Sequence, residues 1–274
     1  MSQWLEGACD CHMHVYDARF PAVAGARLLP PDAYIDAYLA LRDTLGLSRT
    51  VCITPSTYGT DNRCMLEALA ALGPHGRGVA VVDERVSDAE LASLHARGVR
   101  GIRLNLSLGV SARPDMLMPL AQRIVDMDWH IQFIAPPSLL HDLTPVLDRL
   151  PVPFVLDHFA KLRPSALGGD VHRQVLRWLR DGRAWVKLSG AYLVTEAPEQ
   201  QSDDCAALAR SFLEAAPSQI VWGTNWPHAT ASAGHHPWPD DQALLDRLAH
   251  WCSEPAVLGA VLVDNPARLY GFGT

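Results

Sequence analysis

Gly7-Ala8-Cys9-Asp10-Cys11-His12-Met13-His14 begins as a short apolar run, Gly7 to Asp10, and ends in two histidines spaced i and i+2. On a strand that spacing points both side chains to one face, so two imidazoles stand side by side where the run ends. An open doubly wound sheet often carries a glycine-rich phosphate turn at this point. Here Cys11-His12-Met13-His14 stands there instead.

Seven more short apolar runs follow: Arg49 to Thr54, Gly78 to Val82, Val99 to Leu104, His130 to Ala135, Phe154 to Asp157, Ala184 to Leu188 and Gln219 to Gly223. Most are continuous rather than alternating, as parallel strands buried on both faces are. Amphipathic helical patterns alternate with them: 31–47, 61–72, 88–97, 115–128, 138–149, 171–181, 203–215 and 240–252. Asp61, Asp88, Ser138 and Asp240 suit N-caps, and Gly98, Gly182 and Pro217 break the chain before the next strand. Eight strands alternating with eight helices predict an α/β (β/α)₈ TIM barrel, a single domain over residues 1–274.

The chain has 274 residues, 49% hydrophobic and 19% charged, with net charge -7. That is an ordinary globular composition, and its acidity argues against a nucleic-acid or anionic-membrane surface. Met1 to Ala8 has no basic stretch followed by an apolar one, and no run approaches a membrane span. Cys9, Cys11, Cys52, Cys64, Cys205 and Cys252 form no zinc-ribbon pair and read as reduced thiols of a cytoplasmic protein.

In a barrel, residues at the C-terminal strand ends converge on one pocket. The runs deliver His12 and His14; Thr54, followed by Ser56 and Tyr58; Arg103 and Asn105; Gln132; Asp157 and His158; Lys187 and Ser189, followed by Tyr192; and Asn225, followed by His228. Polar groups at buried strand ends are costly unless paired or used.

These residues carry a family resemblance. Asp10-Cys11-His12-Met13-His14-Val15-Tyr16, Gly59-Thr60-Asp61-Asn62, Gly98 to Asn105, Asp157-His158-Phe159, Val186 to Gly190, Trp222 to His228 and Asp264 to Tyr270 occur in order across nearly the whole chain. Together they resemble the amidohydrolase superfamily, in its branch of 2-pyrone-4,6-dicarboxylate lactonase-like enzymes. The resemblance implies that His12, His14 and His158 line the site and that Arg103 binds a substrate carboxylate. It implies an aspartate on strand eight, acting as general base or as a metal ligand; here that position is Asn225, which cannot take a proton near neutral pH.

Two more departures count. Gly109 stands where a second arginine is expected, and Gln132 where a tyrosine is. One arginine suits a monocarboxylate or hydroxylated lactone better than a dicarboxylate. The strand-four and strand-five metal positions of the wider superfamily are missing, so no metal or other cofactor is expected, although three histidines can hold zinc.

The bland readings stand beside these. Arg103 could simply pair with Asp157, and Lys187, Ser189, Tyr58 and Tyr192 could be packing residues. His235 and His236 read as solvated. The implied function is hydrolysis of a small carboxylated or hydroxylated lactone. His12, His14, His158 and Asn225 form its catalytic set, and Arg103, Asn105, Tyr58, Ser189 and His228 its substrate contacts. Asn225 leaves three alternatives open: an enzyme whose aspartate has been replaced, a lactone isomerase in which a substrate hydroxyl replaces water, or a sugar-acid binding protein.

Overall fold

The computed structural model describes residues 6–107, 112–197 and 203–273. Eight parallel strands lie side by side in chain order: β1 (Cys9–Met13), β2 (Arg49–Ile53), β3 (Gly76–Ala80), β4 (Val99–Asn105), β5 (His130–Ile134), β6 (Phe154–Leu156), β7 (Ala184–Ser189) and β8 (Ile220–Gly223). The ring closes just beyond β8, where the Asn225 amide donates to the His12 carbonyl at 2.8 Å and the His14 amide donates to the Trp226 carbonyl at 2.8 Å. Helices lie between the strands, so the architecture is a (β/α)₈ barrel.

One buried carboxylate ties the seam. Asp10 accepts from the Thr224 hydroxyl at 2.6 Å, the Thr224 amide at 3.1 Å, the His12 amide at 2.9 Å and the Tyr38 hydroxyl at 3.0 Å. Burial still pushes its pKa up to about 6, against the pull of those donors. A Cβ on Gly223 would come within 2.5 Å of the His12 backbone nitrogen, so only glycine lets β8 approach β1 this closely.

The strand interiors are filled by Val51, Ile53, Val79, Val155 and Val221 together with Cys9 and Cys11. Strict alternation from Cys9 and Cys11 would turn Met13 inward. Between Asp10 and Met13, however, the β1–β2 register slips, three steps on β1 matching two on β2. Such an irregularity changes which residues face in. It lets His12 and His14 point into the barrel.

The helices depart from expectation at their ends. Ser87, not Asp88, caps helix Asp88–Ala96 by accepting from Glu90, whereas Asp240 caps Asp241–Trp251 as expected. The 138–149 pattern is two short helices, Pro137–Asp142 and Thr144–Leu147, and Ser138 caps neither. Pro145 has no N–H to continue the first of them. All six cysteines are free and buried. Among the described residues, no helix is long and apolar enough to cross a membrane.

Candidate active site

The strand ends open into a cavity of about 320 Å³ at the C-terminal mouth of the barrel. His14, Arg103, Asn105, His158 and Asn225 are on its wall. His12, Tyr58, Ser189 and His228 are not; each supports a residue or a loop from behind. Gly109 lies outside the described residues.

His12 is fully buried, with Nε2 at 3.2 Å from Nε2 of His14 and Nδ1 at 3.3 Å from Oδ1 of Asp157. His14 Nδ1 is 2.8 Å from the Ile53 carbonyl. That oxygen only accepts, so His14 carries its proton on Nδ1 and presents a lone pair at Nε2. The row from Ile53 through His14 and His12 to Asp157 has acceptors at both ends and three gaps. Two neutral imidazoles bring two protons, so the row is one positive charge short.

Burial holds His14 down to about 3 and keeps His12 well below the ordinary imidazole value, although Asp157 pulls His12 the other way. Burial also opposes ionisation of Asp157, but His12 and Lys187 beside it outweigh that and hold its carboxyl well below the carboxylate range. Lys187 Nζ and Arg103 Nε each stand 3.5 Å from Asp157, and Gln132 Nε2 donates to it at 2.9 Å. Arg103 thus faces Asp157 with Nε while remaining on the cavity wall. Its Nη1 reaches the Thr54 carbonyl at 3.4 Å and the Ser56 hydroxyl at 3.5 Å. Asn105 donates to Ser56 at 2.9 Å.

His158 stands two residues beyond β6, with Nδ1 at 2.9 Å from the Ser189 hydroxyl. It opens a run of four non-glycine residues with positive φ: His158 +52°, Phe159 +57°, Ala160 +56° and Lys161 +56°. Left-handed backbone costs roughly 1–2 kcal/mol per residue. The turn brings Lys161 to the same cavity as Arg103, a second cation that the sequence reading missed. Neither Phe, Ala nor Lys signals left-handed backbone, so only the His158 motif itself could have pointed there. Tyr16, Arg27 and His235 also reach the wall. Tyr58 is a brace: its hydroxyl accepts from the Asp17 amide at 2.9 Å.

Asn225 is held in left-handed backbone, φ +69°, which asparagine tolerates better than most residues. Its Nδ2 donates to the Tyr192 hydroxyl at 2.8 Å. Gly190 leaves the space for this: a Cβ there would come within 3.3 Å of Asn225 Nδ2 and of His158 Nδ1.

The amidohydrolase family pattern matches residues 9–272. The chain belongs to that family. It is 35% identical to a 2-pyrone-4,6-dicarboxylate hydrolase of Comamonas testosteroni, over 96% of this chain and 90% of the relative. It is 32% identical to a 4-sulfomuconolactone hydrolase of Rhizobium radiobacter, over 97% and 90%, and 28% identical to a D-galactarolactone isomerase of Agrobacterium fabrum, over 96% and 91%. A solved Agrobacterium tumefaciens apo structure superposes with a TM-score of 0.90 at 27% identity, over 99% of this chain and 98% of that one.

Many amidohydrolases carry a divalent metal, and among the described residues the buried donors that cluster are His12, Asp157 and His158. They fit a resident dication poorly. Asp157 is the only carboxylate among them and already faces Arg103 and Lys187. The strand-eight position adds a neutral amide in place of an anionic ligand.

Proposed function

We propose that this amidohydrolase hydrolyses a small lactone bearing a carboxylate, with water attacking the lactone carbonyl in the cavity at the barrel mouth. The observation that carries this reading is the placing of Arg103 on one wall with His14, His158 and Asn225 on the same cavity. The named relatives that act on lactones support it.

In this reading Arg103 holds the substrate carboxylate through a charge-assisted contact, and Asn105 and Lys161 add polar reach. His158, with Ser189 donating to Nδ1, presents Nε2–H to the lactone carbonyl and stabilises the developing oxyanion. Asn225 Oδ1 orients the water. Its proton goes to the His14–His12 row, which is one charge short and ends on Asp157. A buried imidazole there is a weak base whose conjugate acid returns the proton readily to the leaving alkoxide. No step passes through a metal. Six free thiols suit a cytoplasmic enzyme.

Asn225 favours one further reading, a lactone isomerase in which a substrate hydroxyl takes the place of water. Proton NMR on γ- and δ-lactones bearing one carboxylate, each beside its methyl ester, separates the two. Ring-opened acid supports hydrolysis, and a changed ring size supports isomerisation. A full panel recovered unchanged overturns both.

A further inference from the structure

Behind Asn225 runs a chain of hydrogen bonds that the lactonase reading leaves without a task. Asn225 Nδ2 is 2.8 Å from the Tyr192 hydroxyl, which is 3.2 Å from His228 Nδ1, and His228 Nε2 is 3.1 Å from Oδ1 of Asp241. His228 is fully buried and Asp241 is nearly so on its side chain. The partners come from the loops after β7 and β8 and from the start of helix Asp241–Trp251.

The chain has a direction. An ionised Asp241 only accepts, so His228 Nε2 carries a proton and donates to it. A neutral His228 then offers a lone pair at Nδ1, which takes the Tyr192 O–H. The Tyr192 oxygen is left to accept, and only the NH₂ side of the Asn225 amide can supply it. The carbonyl side of Asn225 is therefore turned toward the cavity that Asn225 lines.

We propose that Tyr192, His228 and Asp241 are positioning residues that fix the Asn225 amide with Oδ1 toward the cavity, so that position 225 binds only a hydrogen-bond donor: the attacking water or a substrate hydroxyl. The proposal rests on the reading of this cavity as the substrate site. It has a second consequence. A carboxylate at position 225 has no proton to give to Tyr192. Tyr192 would then donate to it, and His228 would have to donate from both nitrogens, as an imidazolium between Tyr192 and Asp241. The native amide with a neutral His228 and the Asn225→Asp carboxylate with a charged His228 leave the same total charge in the chain, one proton being gained where one negative charge is added. Among the described residues, the titratable groups facing His228 and Tyr192 are Asp241, His236, 5.8 Å from the Tyr192 ring, and Tyr16.

The test is the ¹⁵N NMR signature of His228 in histidine-labelled protein at neutral pH, assigned with His228→Gln. It needs no turnover, so it stands apart from the identity of the lactone. The expected result is a neutral Nε2–H tautomer in the native chain and an imidazolium in Asn225→Asp at the same pH. A Nδ1–H tautomer or a cation in the native chain overturns the proposal, as does a His228 unchanged by Asn225→Asp. If Asn225→Asp fails to fold, Tyr192→Phe provides the second measurement on any lactone that turns over. Releasing the amide is expected to lower kcat about tenfold or more with KM changed less than threefold; equal losses in both, or none, overturn it.

Discussion

The two mouths of the barrel are both rich in cations, and they use them in opposite ways. At the N-terminal mouth the segment Leu269 to Phe272 plugs the floor, with Tyr270 fully buried. Arg77 donates to the carbonyls of Tyr270 at 3.2 Å and Gly271 at 2.9 Å, and its guanidinium lies 4.5 Å from the Phe272 ring. Arg49 donates to the Gly273 carbonyl at 2.8 Å and lies 5.3 Å from the same ring. These arginines are spent on backbone and aromatic faces. At the C-terminal mouth, Arg103 and Lys161 line open volume. The same side-chain chemistry serves closure at one end and is available to a ligand at the other, and strand polarity tells which is which.

The largest test of that contrast is Asn225→Asp. A carboxylate can take the proton of water, and general-base catalysis is typically worth about 10²–10⁴-fold. A gain of that order in acid release, read by pH-stat, is expected if water is the nucleophile. No gain on a lactone that demonstrably binds would mean that the water's proton does not pass through position 225 and goes to the His14–His12 row alone.

Arg103→Met comes next. Losing a charge-assisted hydrogen bond costs about 1.5–3 kcal/mol, roughly 10–150-fold. KM for a carboxylated lactone should rise by that factor, and that for its methyl ester far less. Similar losses on acid and ester would assign Arg103 to holding Asp157.

His130 brings pH to the lower end of the barrel. It is buried, neither ring nitrogen has a partner among the described residues, and burial lowers it from 6.5 to about 3. The depressed pKa means that its neutral form stabilises the fold fully above pH 6.5 and that this contribution is lost as pH falls toward 3. His14 and His158, lowered to about 3 as well, add to the same acid limb from the upper end. Tm measured between pH 7 and pH 4 should fall less steeply in His130→Met than in the native chain. Parallel profiles would remove His130 from the account.

Arg77→Met should be milder and of the other kind. Breaking its carbonyl contacts is expected to cost about 1–2 kcal/mol, a drop of roughly 2–8 °C in Tm, with kcat and KM unmoved. A kinetic defect without a thermal one would undo the distinction between the two mouths. The smallest effect is expected from a chelator: activity and Tm unchanged after EDTA dialysis. Stoichiometric zinc, with activity lost on its removal, would reverse the argument about the donor set.

The barrel could be read from the sequence because runs such as Gly78 to Val82 and Phe154 to Leu156 are apolar throughout, and such runs belong to strands covered on both faces. The lining residues Arg103, His14 and His158 were legible as strand-end polar residues. What was hidden depends on backbone detail or on distance along the chain. The slip between Asp10 and Met13 leaves no mark in residue type. The left-handed turn that carries Lys161 uses residues with no preference for it. Tyr192 and His228 meet across 36 residues, and nothing local to either names the other, so His228 read as a substrate contact although it stands behind Asn225.

The Asp10 seam has a consequence for how the chain reaches this state. Asp10 meets Thr224 across 214 positions, and Arg49 meets the Gly273 carbonyl across 224. Neither joint can exist while only the first half of the chain has emerged from the ribosome. Contacts so distant in sequence make for slow folding. Until they form, the apolar edges of β1 and β8 have no neighbour to pair with and are open to other chains. The joint that shapes this mouth of the barrel therefore closes last, and two open strand edges are the cost of that order of assembly.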